Sequence, residues 1–298
     1  MRKFKIANEK MLPELKNIIS VCFQDVFEVV DLFFKNRVCL NDCFVCEEDG
    51  KIVSVLHIIP SELQINGKIY KSGYIYGACT LPDFRKRGIM SELIKFSEKE
   101  AINRNYKFLF LVPDNESLEN FYQKLGYRNF FKHKKIVLKR SMMNKFYNFS
   151  KRCKYFNDDI KNISEHMEKL QNFVYNEKNV VLYNNQDFDY AVKLYNFFDG
   201  KAVTNRYGYA ICTPEFEGLI IRGFTAVKPF SVLLLGQIYK LFPNFKNYIL
   251  LSEVNNYFFE SRVFNQKIQH FGMIKCLDNK MHNSIKNIKN AYLALALD

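Results

Sequence analysis

No uninterrupted apolar run in this 298-residue chain reaches the roughly 18 residues that a bilayer-spanning helix needs. The opening Met1-Arg2-Lys3-Phe4-Lys5 runs into a polar stretch rather than a signal-peptide core. These two absences predict a cytoplasmic protein with no membrane partner. Glycine (12) and proline (7) are scarce, which excludes a low-complexity or disordered chain. No glycine-rich loop ends in Gly-Lys-Ser/Thr and no Gly-x-Gly-x-x-Gly occurs, which excludes a P-loop and a dinucleotide fingerprint. The five histidines, His57, His133, His166, His270 and His282, have neither metal-ligand nor triad spacing, so no metal is expected.

What is present suits two globular cores. Apolar residues make up 48% and charged residues 25% of a chain long enough for two domains of about 150 residues each. The net charge of +13 is dispersed along the sequence and accompanies no nucleic-acid module. It fits an anionic ligand rather than a nucleic-acid partner. Eight cysteines in such a chain read as reduced thiols. Cys39, Cys43 and Cys46 have the spacing of an iron–sulfur loop, but residues 43–48 read as a strand entering the Asp49-Gly50 turn, which favours a structural role.

In order, residues 4–7 predict a strand, and 11–22 and 25–34 two amphipathic helices. Asp49-Gly50 and Asn66-Gly67 are two-residue hairpin signals, so 42–48, 51–64 and 68–80 should form an antiparallel meander. The meander delivers the chain into Cys79-Thr80-Leu81-Pro82-Asp83-Phe84-Arg85-Lys86-Arg87-Gly88-Ile89-Met90-Ser91. A strand there ends in a basic loop that opens directly into a helix over 89–104. The first turn of a helix has unpaired N–H groups and the positive end of the macrodipole. Gly88 lets an anion approach the main chain, and Arg85, Lys86 and Arg87 add charge, so the stretch predicts a pyrophosphate cradle. A buried strand at 107–112 leads to Asn115, a helix N-cap, with Leu118, Phe121 and Leu125 as a core stripe and Gly126 as the helix stop. Tyr122 follows Asn115 by seven residues, two helical turns.

Arg85-Lys86-Arg87-Gly88-Ile89-Met90 resembles the coenzyme A signature Arg/Gln-x-x-Gly-x-Gly/Ala of the GNAT acetyltransferase superfamily, with Met90 departing at the small-residue place. The stretch from Asn115 through Tyr122 to Gly126-Tyr127 resembles the same family's Asn-x(6)-Tyr-x-x-x-Gly-Phe/Tyr. The resemblance implies an α+β / α/β fold of two tandem acyl-CoA N-acyltransferase-like domains, mixed mostly antiparallel sheets flanked by helices, with the second copy degenerate. It implies an N-acetyltransferase that takes acetyl-CoA as cosubstrate and a small-molecule amine or peptide as acceptor. Arg85, Lys86, Arg87, Gly88, Ile89, Met90 and Ser91 would hold the pyrophosphate, Ala78, Cys79 and Thr80 would lie beside the pantetheine arm, and Asn115 would order the junction near it. Tyr122 would protonate the leaving thiolate. The first 140 residues look most like the tandem "enhanced intracellular survival" aminoglycoside acetyltransferases, whose terminal carboxylate serves as base; that likeness makes Asp298 the candidate base here. A non-catalytic acyl-CoA-binding module and a peptidyl or aminoacyl transferase remain alternatives.

Residues 130–139 predict a closing hairpin, and 141–158 a basic, aromatic connector between domains 1–140 and 159–298. The second half predicts helices at 160–175, 188–198 and 230–241 and strands at 206–212, 217–225 and 248–254, repeating the order of the first. Gln269-His270-Phe271-Gly272-Met273 echoes Gln123-Lys124-Leu125-Gly126-Tyr127 at an offset of 272 − 126 = 146, which would put Ile268 in the place of Tyr122. No Arg-x-x-Gly loop lies between Ala210 and Phe230, so one active site per chain is expected. Residues 291–298 alternate like a terminal strand.

Overall fold

The computed structural model describes residues 1–153, 160–259 and 264–295. The first half runs β1 (Arg2–Ile6), α1 (Leu12–Phe23), α2 (Phe27–Asn36), β2 (Cys43–Glu48), β3 (Lys51–Ile65), β4 (Lys68–Thr80), α3 (Ile89–Asn103), β5 (Phe108–Leu111), α4 (Glu116–Lys124), β6 (Arg128–Lys139). Helix α5 (Arg140–Ser150) follows. The second half runs α6 (Ile163–Val174), β7 (Val180–Leu182), α7 (Asn185–Phe197), β8 (Lys201–Asn205), β9 (Gly208–Glu215), β10 (Gly218–Ala226), α8 (Ser231–Leu241), β11 (Asn247–Ser252), β12 (Asn265–Cys276), α9 (His282–Lys286). Both expected hairpin turns form, with φ of 50° and 82° at Asp49 and Gly50, and 48° and 75° at Asn66 and Gly67. Such left-handed pairs match the twist of the flanking strands.

Eleven strands form one continuous path, β1-β2-β3-β4-β5-β12-β6-β11-β10-β9-β8, with β7 added against β3. The two halves exchange strands at its centre. β12 pairs antiparallel with β5 (Met273 opposite Leu111), while β6 pairs antiparallel with β11 (Leu138 opposite Tyr248). Residues 128–139 are therefore one long strand shared between β12 and β11, not the hairpin expected from the sequence. A hairpin would pair β6 with its own neighbour in sequence, whereas here the second half supplies both partners.

Helices α1, α2, α6 and α7 cover one face of the sheet around a core that includes Leu15, Phe33, Phe110, Phe188 and Ile211. On the other face α3 and α4 pack in the first half (Leu93, Ile94, Tyr122), and α5 and α8 in the second (Met143, Leu234, Leu235). The expected connector is in large part this helix α5, whose Ser150 lies against Gly236 of α8: a Cβ on Gly236 would come 2.2 Å from the Ser150 Oγ. Its apolar side was missed because its residues are mixed with charge and no helix-capping side chain marks its start.

The repeat is real, but the five-residue echo is not its trace. Gln123 and Lys124 end a helix, whereas residues 269–273 lie within β12 and Ile268 is an exposed strand residue. The structural match is Gly77 with Gly223. Each sits in a bulge with φ of 59°, where two residues of one strand face one of its partner: Gly77 and Ala78 opposite Leu56, Gly223 and Phe224 opposite Ala210.

Candidate active site

The bulge at Gly77 bends the end of β4 away from β5. The two strands pair in parallel only from Ser72 to Tyr74, so among the described residues β4 from Ile75 to Thr80 has no strand partner on that side. A wedge opens between two neighbouring strands, its walls lined by main chain. Ala78, Cys79 and Thr80 form one wall. Their positions are pinned from behind: the Ser54 Oγ donates to the Cys79 carbonyl at 2.9 Å and lies 2.9 Å from the Thr80 Oγ1.

The loop after β4 curls at the mouth of this wedge. Arg85 has φ −69°, Lys86 +61° and Gly88 +76°, while Arg87 is not among the positive-φ residues. Arg85 is extended, and the left-handed residues Lys86 and Gly88 turn the chain sharply into the start of α3. Gly88 is the N-cap of α3 and supplies no side chain, and no side chain caps that helix start. The N-terminal N–H groups at Ile89, Met90 and Ser91 thus stand at the positive end of a 15-residue helix. The basic side chains divide their roles. Arg85 Nε donates to the Thr80 carbonyl at 3.0 Å and shapes the loop, Arg87 is paired with Glu48, and Lys86 is exposed. Met90 is half-buried against the α3–α4 core.

Asn115 caps α4, its side chain accepting from the Leu118 N–H at 3.1 Å. Its side-chain oxygen is thereby used by the protein, so it orders the junction. The expected core stripe is shifted: Leu118 is exposed, and Tyr122 is the buried residue of α4. Tyr122 lies against the rings of Phe121 and Tyr127, in a buried core that also holds Leu93 and Ile94 of α3, Leu111 of β5 and Met273 of β12. Among the described residues its hydroxyl makes no hydrogen bond, and burial pushes the phenol up to about 12, so it stays protonated. The tyrosine of the sequence motif is the buried residue of α4, and the motif does not reveal that a strand from the other half contributes to the core around it.

Sequence reasoning missed a thiol pair. Cys22, at the end of α1, lies beside Cys79 and Arg85; its hydrogen bond with Cys79, helped by Arg85, pushes its thiol down to about 7, while Cys79 is pushed up. The two are 57 residues apart (79 − 22), and no spacing motif could signal them. Cys43 and Cys46 are buried on β2 in different cores and Cys39 is exposed, so the three do not converge. Among the described residues no group of three His, Cys, Asp or Glu side chains is gathered as for a metal.

Among the histidines, His57 is enclosed by Phe33 and Phe34 and burial pushes its imidazole down to about 4, against a weaker opposite pull from the Tyr76 backbone. His166 bonds the Asn205 carbonyl at 2.8 Å, and His133 is buried on β6. Asp298 lies outside the described residues. Of the terminal segment, Ala291 and Tyr292 bridge to Phe131 and Val180 rather than extending a strand, and Leu295 closes over Gly223, held by the Tyr183 hydroxyl at 2.6 Å. The second half thus keeps the bulge but fills its side of it.

Residues 3–130 match the family model described as "Acetyltransferase (GNAT) domain". No curated protein matches. Among solved structures, a GCN5-related N-acetyltransferase from Anabaena variabilis superposes with a TM-score of 0.72 at 14% identity, over 93% of this chain and 73% of that one. A probable N-acyltransferase from Enterococcus faecalis gives 0.71 at 12%, over 93% and 73%. Eis1 from Mycobacterium abscessus gives 0.68 at 12%, over 93% and 74%. Residues 3–130 are thus similar to a GNAT acetyltransferase domain, and the chain as a whole has the tandem GNAT fold that it shares with these structures.

Proposed function

We propose that the protein is an N-acetyltransferase that moves acetyl from acetyl-CoA to a primary amine by direct attack in a ternary complex. The observation that carries this reading is a pairing: a start of α3 with no side-chain cap, reached through a basic loop, and a protonated tyrosine buried in the core that α3 shares with β5. Pyrophosphate at the start of α3 would lay the pantetheine arm along Ala78, Cys79 and Thr80. The attacking nitrogen forms a C–N bond at the thioester carbon, the tetrahedral intermediate collapses, and the C–S bond breaks. Tyr122 donates its proton to the departing thiolate and regains one from solvent. The acceptor loses its proton to a base, for which Asp298 stays the candidate.

In this reading residues 1–140 bind acetyl-CoA, 141–158 connect, and 159–298 shape the acceptor side. One site per chain is supported by the absence of an Arg-x-x-Gly loop before α8 and by Leu295 at the second bulge. Release of free thiol from acetyl-CoA in the presence of amines tests the activity, and Tyr122→Phe separates it from simple coenzyme binding. A fall in turnover of about ten- to ten-thousand-fold with coenzyme affinity retained supports the acid role. A wild-type protein that binds acetyl-CoA and acetylates no amine would instead be an acyl-CoA-binding module.

A further inference from the structure

The thiols of Cys22 and Cys79 take no part in the reaction proposed above. We propose that they form a redox-sensitive latch, in which hydrogen peroxide converts the two thiols into a disulfide that ties the end of α1 to β4. The inference goes beyond the acetyltransferase reading and does not depend on it.

The geometry brings the two sulfurs to one spot. Helix α1 packs directly on the bulge of β4: a Cβ built on Gly77 would come 3.4 Å from the Ile19 Cδ1. Two residues further along β4, the Cys79 Sγ lies 4.0 Å from the Ile18 carbonyl oxygen, with the thiol as donor. In an α-helix that carbonyl accepts the N–H of the residue four places on, which is Cys22. Helical side chains lean back over the preceding turn, so the Cys22 sulfur leans toward the carbonyl that Cys79 approaches from the strand. The two thiols are hydrogen-bonded to each other.

Other pairings of Cys79 with nearby cysteines are excluded by the sheet. Cys43 and Cys46 of β2 lie opposite His57 and Ser54 of β3, and Cys79 of β4 lies opposite Val55 on the other edge of β3. Two strand spacings, about 9–10 Å, therefore separate Cys79 from either of them. A disulfide needs Cα atoms within about 7 Å. Burial also pushes the Cys43 thiol up to about 12, so it supplies no thiolate.

The pair is asymmetric in the way that stepwise oxidation requires. Cys22 is half-buried and stands between exposed Val21 and Phe23, whereas Cys79 is 8% exposed. Oxidant therefore meets Cys22 first. The bond with Cys79 and the nearby Arg85 guanidinium both favour the Cys22 thiolate, which is the nucleophilic form. The thiolate attacks one oxygen of the peroxide: an S–O bond forms, the O–O bond breaks, and the departing hydroxide takes up a proton to become water. Cys79 then attacks the sulfur of the resulting sulfenic acid. The S–S bond forms, the S–O bond breaks, and the oxygen leaves with the Cys79 proton as a second water. The peroxide is reduced and two thiols are oxidised to one disulfide.

The test uses the full chain, reduced, freed of reductant and treated with hydrogen peroxide at pH 7. We expect the intact mass to fall by two hydrogens, peptide mapping to show a Cys22–Cys79 cross-link, and dithiothreitol to reverse both. Closing a loop between residues 57 apart restricts the unfolded chain, so the oxidised protein should melt higher by about 4 °C or more. Cys79→Ser should stop at the sulfenic acid, which dimedone traps on Cys22 in severalfold greater yield than in wild type. Cys22→Ser should leave Cys79 as a thiol. No loss of hydrogens, a cross-link at any other pair, a bridge without a higher melting temperature, or equal dimedone labelling of Cys22 in wild type and Cys79→Ser would overturn the inference. Should either variant fail to fold, the cross-link map and the melting of the wild-type protein still decide it.

Discussion

Glu98 and Lys275 stand 177 residues apart in the chain and are ion-paired, Oε2 to Nζ, at 2.7 Å. Glu98 is on α3, the helix that opens after Gly88, and Lys275 is on the β12 strand contributed by the second half. The Tyr127 hydroxyl donates to the same carboxylate at 3.1 Å, and the Lys275 ammonium lies 5.5 Å from the centre of the Tyr127 ring. The side chains are only 11% and 24% exposed, so neither charge has ready access to water. Removing one partner leaves a nearly buried charge uncompensated. Lys275→Met should therefore lower unfolding free energy by about 2–3 kcal/mol, somewhat under the 3–5 kcal/mol of a fully buried pair because of the remaining exposure. The double variant Glu98→Gln/Lys275→Met should recover most of the loss. Urea unfolding of the four proteins gives the coupling directly, and additive losses would show that the pair does not tie helix to strand.

His57 makes stability depend on pH in one direction. Its folded pKa of about 4 lies below the ordinary 6.5, so between those values the unfolded chain holds a proton that the folded one excludes. Stability from this group is complete above pH 6.5 and falls as pH drops toward 4. The span is about 2.5 pKa units, or about 3 kcal/mol at 1.36 kcal/mol per unit. His57→Phe, in a site already walled by Phe33 and Phe34, should flatten this part of the profile. Denaturation midpoints of both proteins from pH 7 to pH 4.5 check it; parallel curves would exclude His57 as the source.

Local signals were legible and long-range ones were not. Asp49-Gly50, Asn66-Gly67, Gly88 and Asn115 each announce a backbone event within a few residues, and each occurs where the sequence places it. The core stripe of α4 was misread, because Leu118 and Tyr122 share helical spacing and only tertiary packing decides which is covered. The exchange of β6 and β12 had no local signature. Both are long strands with alternating charged residues, such as Lys132, Lys135, Lys267 and Lys275, and their partners lie more than a hundred residues away.

Cys22 should be the reactive thiol of the chain. Its contact with Cys79 and Arg85 pushes it down to about 7, where roughly half is thiolate at neutral pH against a few per cent for an ordinary cysteine. Limited iodoacetamide treatment at pH 7, read by peptide mass mapping, should modify Cys22 ahead of exposed Cys39. Arg85→Gln should slow the reaction at Cys22 several-fold. Equal labelling of Cys22 in both proteins would remove Arg85 from the account.

Gly88 allows the conformational and the steric requirements of the proposed pyrophosphate site to be separated. Its φ of +76° disfavours a side chain, yet the space beside it is open: the nearest atom to a Cβ built there is the Glu92 Oε1, 4.0 Å away. In the free protein a substitution therefore costs only backbone strain, about 1–2 kcal/mol for alanine in the left-handed region. Asparagine tolerates that region better than other residues with a Cβ. Gly88→Asn should keep the melting temperature closer to wild type than Gly88→Ala. If a pyrophosphate sits against the main chain here, both variants should bind acetyl-CoA at least tenfold more weakly, because both place a side chain where the anion must approach. Calorimetric titration of acetyl-CoA beside thermal melts distinguishes the cases: an asparagine variant with full affinity would show that the anion is held elsewhere.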